Sequence, residues 1–356
     1  MHKFTNLLEL ENAGITMRQD FKPLGGEDDA VIFPPTYATL KKTDIFTYII
    51  NEVIRQDGTV ENYCTIDSVG SQANRMEPIF KGEPYKSLIP EVIVSEEKTG
   101  QETNILEAGH RVADAILRFS DLSEEITKVF NEIKRGNYEP LAKIAPTSLV
   151  FGVWDSRDTR VQIPRIVKSI IRAKNVTALK RSAQYVPAIP DYKEALGKLT
   201  PKEIKDLSVV GMANVPSTGK VGGVQITGDS SIFRKTELNL SVLRQAKVRD
   251  SNNKINEEAT VKLQNYLLSL SLIAFFAPQD YFLRMGCTLT GDPEKPTVVK
   301  LITRDGTKKD LNFTPTELLN FANDSAEKFG VGEPRYCTFD KSLAKKALAK
   351  KDKGNL

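Results

Sequence analysis

Histidine, tryptophan and cysteine are scarce in this chain of 356 residues, which holds two, one and three of them respectively. Cys64, Cys287 and Cys337 are odd in number and show no Cys-x-x-Cys spacing. That argues against a disulfide framework and a zinc site, and for a reducing, cytoplasmic setting. No apolar run reaches the roughly 18 residues of a membrane span. The longest candidate, Tyr266 to Ala277, carries Ser269 and Ser271 and reads as a buried core helix. The start of the chain, Met1-His2-Lys3-Phe4, lacks the apolar core of a secretion signal. Enzyme signatures are missing as well. Thr218-Gly219-Lys220 hints at a phosphate loop, but Asn214 and Val221 break its pattern. No HExxH, GxSxG or paired-carboxylate arrangement stands out. His110 reads either as a hydrogen-bonded structural histidine or as a general base without a partner at recognisable spacing. No cofactor and no metal is expected.

What is present is an ordinary globular composition, 40% hydrophobic and 27% charged, with an uneven charge distribution. Residues 341–356 hold six lysines and one aspartate, so this tail carries +5 and the other 340 residues about −1. Residues 155–185 carry eight Lys or Arg against Asp155 and Asp158, and residues 1–70 carry six basic against eleven acidic side chains. An acidic end and a basic middle suit head-to-tail stacking along a polyanion, and equally suit mixed solvated surfaces. One domain over 1–340 is expected, followed by a basic, partly helical tail over 341–356.

Apolar periodicity predicts helices over 104–119, 124–135 (with Ser123 as N-cap and Gly136 as the stop) and 257–277. The first would carry i,i+4 pairs Glu107–Arg111 and Asp114–Arg118 on its outer face. Strands are predicted over 148–154 and 231–240, and as a pair over 281–289 and 297–303 around Gly291-Asp292-Pro293. Residues 161–177 fit either a helix or a strand. The proline-marked stretch 183–216 reads as an inserted excursion, and the glycine-rich 215–228 as a loop that allows close backbone approach.

Three polar clusters could grip a nucleic acid. In Asp67-Ser68-Val69-Gly70-Ser71-Gln72-Ala73-Asn74-Arg75, a helix starting near Ser71 would aim free amides, Ser71, Gln72 and Arg75 at an anion, or would simply be capped there. Trp154-Asp155-Ser156-Arg157 ends a predicted strand and precedes Arg160 and Arg165; the tryptophan is either core or a stacking platform. Gly222-Gly223 leads into Ser231-Ile232-Phe233-Arg234-Lys235, a glycine loop beside basic strand residues that suits a phosphate backbone.

The runs TIDSVGSQANRME (65–77), AGHRVADAILRFSD (108–121), TSLVFGVWDSR (147–157), GGVQ with FRKTELNLSVLR (222–244) and LRMGCTL (283–289) occur in that order. Together, across about residues 30–290, they resemble the backbone subunit (Cas-seven-type, RAMP superfamily) of the type I-G, formerly I-U, CRISPR surveillance complex. The resemblance implies an α+β fold with an RRM-like (ferredoxin-like) palm, helical insertions and a protruding thumb, the latter matching 183–216. It tips 161–177 toward strand. It further implies a non-catalytic protein whose copies line up along guide RNA, beside other Cascade subunits, and border the target DNA strand. Superfamily relatives that process guide precursors leave an endoribonuclease as the alternative. The residues expected at the RNA are Ser68, Ser71, Gln72, Asn74, Arg75, His110, Arg111, Trp154, Ser156, Arg157, Arg165, Gly222, Gly223, Arg234 and Lys235.

Overall fold

The computed structural model describes residues 2–26, 30–38, 46–186, 192–212, 215–217 and 221–352. Nine strands form one curled antiparallel sheet: β1 (Asn12–Pro23), β2 (Ile50–Ile54), β3 (Val60–Asp67), β4 (Val167–Lys174), β5 (Ser231–Asn239), β6 (Phe282–Arg284), β7 (Cys287–Gly291), β8 (Val298–Thr303) and β9 (Lys308–Asp310). Their order is β6-β7-β1-β5-β4-β3-β2, with β8 also on β1 and β9 on β8. β1 is long enough to hold two neighbours on one edge, β8 against Asn12–Arg18 and β7 against Phe21–Pro23. The fold is therefore mixed α+β.

Period-2 alternation decides the ambiguous segment. In β4, Val167, Ser169, Ile171 and Ala173 are buried on one face, while Lys168, Ile170, Arg172 and Lys174 point the other way. Tertiary pairing with β5 and β3 favours a strand over the helix that the spacing of its isoleucines also allows. Against the inner face pack α1 (Val69–Met76), α2 (Ser123–Lys134), α3 (Pro146–Phe151), α4 (Glu257–Phe276) and α5 (Pro315–Phe329), which share one large apolar core with Ile15, Met17, Val167 and Leu238. A second apolar cluster, with Phe21, Ile66, Ile171 and Ile232, covers the other end of that face.

α4 is long and apolar enough to cross a membrane by length and composition, yet it is mostly buried inside the fold. The Asn256 side chain caps it by accepting from Ala259 N at 3.1 Å. The Tyr266 ring stacks on Phe329 at 4.6 Å and its hydroxyl donates to Leu88 O at 2.7 Å, as a buried tyrosine requires. The core-helix expectation holds, as do the helix at Ser123–Lys134 and the strand at Ser231–Asn239. Ser123, however, is the first residue of its helix and not the cap.

Three predicted elements are corrected. Residues 104–119 are not one helix but the short turns Ile105–Glu107, Arg111–Ala113 and Ala115–Arg118. Asn104 and Asp114 each accept a backbone N–H two residues on, so two caps fall inside the apolar pattern and break it. The expected pairs do not form: Glu107 meets Lys81, Arg111 meets Glu77 and Arg118 meets Asp155. Residues 148–154 are mostly helical, because α3 starts at Pro146 and ends at Gly152, whose φ of +77° stops it before the strand Val153–Trp154. Finally, 281–289 is itself the hairpin of β6 and β7, and β7 and β8 line β1 instead of pairing with each other.

In the excursion, Ala183–Tyr185 pairs antiparallel with Val215–Ser217, bringing its two ends together as a stem. Beyond the stem lie the helices Tyr192–Leu196 and Pro201–Val209, and the second of these buries no residue. The tail is helical over Lys341–Asp352, and Lys341 pairs with Glu96 at 2.6 Å.

Candidate nucleic-acid interface

The donor-rich loop after β3 folds inward. Asp67 is completely buried and collects its neighbours' donors. Ser71 Oγ and Gln72 Nε2 each donate to it at 2.7 Å, Arg75 Nε at 3.1 Å and Arg284 Nη2 at 3.4 Å. Arg75 also donates to the carbonyl of Leu283 at 2.6 Å, and Ser169 Oγ donates to Gln72 Oε1 at 2.8 Å. Ser68 caps α1 by accepting from Ser71 N at 3.2 Å. In this chain the loop thus serves a buried carboxylate, which must be met by donors once it leaves water. Gln72 is buried outright, so its expected exposure to RNA is corrected. Within 67–75 only Gly70 and Asn74 are exposed.

Arg111 is also corrected to a buried position. Its Nε lies 2.7 Å from Glu77 Oε2, with both side chains almost fully enclosed, and its guanidinium sits over the Phe151 ring. The backbone at Arg111 has φ +53°, a left-handed conformation that costs about 1–3 kcal/mol and needs such anchoring. Burial pushes the Glu77 carboxyl up to about 7, against the pull of Arg111 and the Thr147 hydroxyl. The native chain therefore holds a proton near pH 6 that the unfolded chain releases near pH 4.5. A raised pKa stabilises the fold below the unfolded value, and that contribution disappears as pH rises through about 7. In urea titrations, wild-type stability relative to Glu77→Gln is expected to fall by on the order of 2–3 kcal/mol from pH 5 to pH 8. A flat difference would mean that Glu77 stays ionised in the folded chain across this range.

Above this pair the surface opens. Arg111 Nη2 donates to Asn74 Oδ1 and Nη1 to Gly152 O, each at 3.4 Å. The Arg165 stem lies so close over Gly152 that a Cβ there would meet Arg165 Cγ at 2.7 Å. Partial burial, then the charge of Arg111, lower the Arg165 guanidinium from its usual range. Two residues on, Trp154 is 60% exposed, paired in register with Gln162. Arg157, Arg160 and Arg165 are exposed and form no ion pair among the described residues. Asp155 does not neutralise them. It is buried and accepts from Arg118 Nη2 at 2.6 Å and from Thr159 N and Oγ1 at 2.8 and 2.7 Å. Asp158 accepts from Thr127 Oγ1 at 2.8 Å. His110 is exposed in a turn, not on an apolar helix face, and Ser156 is half-buried.

The third predicted cluster does not assemble here. Gly222 N donates to Leu179 O at 2.7 Å and Gly223 N to the Tyr48 hydroxyl at 2.9 Å, so neither amide is free for a phosphate. Gly223 has φ +96° and a Cβ there would meet Ile32 O at 2.9 Å, as one at Gly222 would meet Lys180 C at 2.8 Å, so the close approach these glycines allow is to the chain's own backbone. Arg234 lies on the inner sheet face, buried, donating to Tyr281 OH at 3.0 Å and to Phe275 O, near the end of α4, at 3.4 Å. Burial lowers its pKa, and the negative end of the α4 dipole replaces a counter-ion. Lys235, its neighbour in the strand, faces outward and pairs with Glu237 at 3.1 Å. Arg18 and Arg172, on that same outer face, were not singled out by the sequence because their surroundings come from strands distant in the chain.

Residues 15–178 match the family model described as CRISPR-associated protein GSU0053. The match supports a CRISPR-associated protein family. It runs from β1 through β4 and includes α1, Trp154 and Arg165, while the excursion, β5 and α4 lie outside it. No curated protein matches the chain.

Proposed function

We propose that this chain is a non-catalytic backbone subunit of a type I-G CRISPR surveillance complex. It is an RRM-like palm whose copies assemble along guide RNA, with the excursion as thumb, and present that RNA for pairing with a target DNA strand. Other Cascade subunits complete the complex. The observation that carries the reading is the exposed Trp154 beside Arg157, Arg160 and Arg165 without carboxylate partners. No ion pair among the described residues accounts for the guanidinium groups, and the Trp154 ring is mostly uncovered. A ring for bases and unpaired guanidinium groups for phosphates do account for the grouping, with stacking worth about 1–3 kcal/mol per base.

Trp154 is the sole tryptophan, so its emission reports this surface directly. Titration with single-stranded RNA is expected to quench it, and Trp154→Ala with Arg165→Glu should weaken binding by about 10- to 100-fold. The salt slope should also fall by about one contact for each arginine removed. Unchanged affinity and emission would overturn the reading. Incubation with repeat RNA, with and without magnesium, tests the non-catalytic part: specific products that vanish in His110→Ala would favour the endoribonuclease instead.

A further inference from the structure

Two open edges of the central sheet carry opposite charge. Along the path β9-β8-β1-β5-β4-β3-β2 every neighbouring pair is antiparallel, so the strands at its two ends, β9 and β2, run in the same direction. Among the described residues neither has a partner on its outer side. Thr65 N donates to Ile49 O and Arg55 N to Thr59 O. Odd-numbered residues of β2 therefore bond inward, and Ile50, Glu52 and Ile54 turn their backbone groups outward. On β9, Thr303 N donates to Thr307 O and Leu311 N to Val299 O, which leaves Lys308 and Asp310 outward. Twin turns support both edges. Thr59 N donates to Asp57 Oδ1 and Thr307 N to Asp305 Oδ1, each at 3.0 Å, around Gly58 and Gly306 with φ +84° and +87°. Both edges are thus ready-formed and need little ordering on contact.

Residues 50–61 carry Glu52, Asp57 and Glu61 against Arg55, a net −2. Residues 298–310 carry Lys300, Arg304, Lys308 and Lys309 against Asp305 and Asp310, a net +2. Glu61 is satisfied by Arg55 and Lys174, and Asp310 by Lys300. Glu52, Asp57, Lys308 and Lys309 are exposed and form no ion pair among the described residues. Ile54 is 75% exposed, and β2 has no proline, lysine or bulge of the kind that guards an edge. We infer that β2 of one copy pairs in parallel with β9 of the next, so that the sheet continues from copy to copy. Two β2 edges would place acid against acid and two β9 edges lysine against lysine, which selects the head-to-tail joint. A heterologous joint of this kind can repeat indefinitely, each copy adding seven strands, roughly 34 Å across the sheet. An RNA strand would meet Glu52 and Asp57 at β2, so a protein edge is the better occupant. The inference rests on the proposed function and names surfaces through which its copies meet.

The test uses the full-length chain on RNA long enough for several copies and on RNA of single-copy length. Glu52→Pro removes only an outward N–H, so the internal ladder stays whole while the edge is blocked. It is expected to weaken cooperative assembly on the long RNA by about 10-fold and to leave affinity for the short RNA unchanged. Glu52→Lys should weaken assembly similarly, as should Lys308→Glu with Lys309→Glu. Combining all three changes in one chain reverses both edges and should restore assembly. On the long RNA, a carbodiimide that couples touching carboxylates and amines should join Glu52 of one copy to Lys308 or Lys309 of another. Mass spectrometry of mixed isotope-labelled and unlabelled chains reads that link. Normal assembly by Glu52→Pro on the long RNA would overturn the joint and leave the proposed function standing. So would a combined variant that melts like wild type but does not recover the assembly lost by Glu52→Lys. Absence of any RNA binding by wild type would end both.

Discussion

Asp67→Ala is expected to lower the unfolding free energy by about 3–5 kcal/mol, the loss typical when one partner of a buried ionic network is removed. The reason lies in what would be left behind. Ser71, Gln72, Arg75 and Arg284 all direct donors at this carboxylate, which is completely buried. Two guanidinium groups would lose the one carboxylate they meet among the described residues, and the network joining β3, α1, β6 and β4 would lose its centre. Arg75→Ala should be milder, about 1–3 kcal/mol, since the carboxylate keeps three donors. Arg75→Ala should also leave the salt slope of RNA binding unchanged, because its guanidinium is engaged by Asp67 and the Leu283 carbonyl. Urea titrations of both variants, with binding measured across a salt series, check the two statements together. A normal stability for Asp67→Ala would mean that the network is dispensable. A flattened salt slope for Arg75→Ala would restore the direct phosphate contact that the sequence suggested.

Removing residues 186–212 and closing the stem with a short turn is expected to leave the core intact and to abolish long assemblies on RNA. The helix Pro201–Val209 buries nothing against the rest of the chain, so its loss costs the core little. Its capping box, Thr200 with Glu203, shows that it is locally well formed despite the lack of packing. Val209 and Val210 are 81% and 70% exposed, and Leu196 and Met212 are exposed nearby. A formed helix with uncovered apolar residues has a surface to give to a partner. In the proposed assembly that partner is the adjacent copy. Cooperative binding on a long RNA should then drop toward single-copy affinity, by about 100-fold or more, while the melting temperature moves by only a few degrees. Sedimentation or electron microscopy on RNA of several site lengths reads the outcome. Normal filaments from the shortened chain would refute the thumb contact.

The amino-acid sequence by itself determined the elements whose signal is local and uninterrupted. The 3.6-residue period and the Asn256 cap define Glu257–Phe276, and alternation defines Ser231–Asn239. Where local signals conflict, the tertiary structure decided. Asn104 and Asp114 compete for backbone amides within an apolar helical pattern, and the result is three short turns. Val167–Lys174 fits two periods, and pairing with two neighbouring strands selects one. Site residues were legible as chemistry but not as direction. Arginine, serine and glutamine in a loop suit an external phosphate or an internal carboxylate equally well. Asp67 in the same stretch was the visible sign of the second use, but Arg284, more than 200 residues away, completes it. Trp154 gave no sign of its exposure, because a lone tryptophan carries no periodicity; the ending of α3 at Gly152 and the turn of the next strand put it on the surface. Arg18 and Phe233 meet only through the register of β1 on β5. Sequence spacing fixes neighbours along one element, and contacts between elements arise only once burial of the apolar faces has set the register.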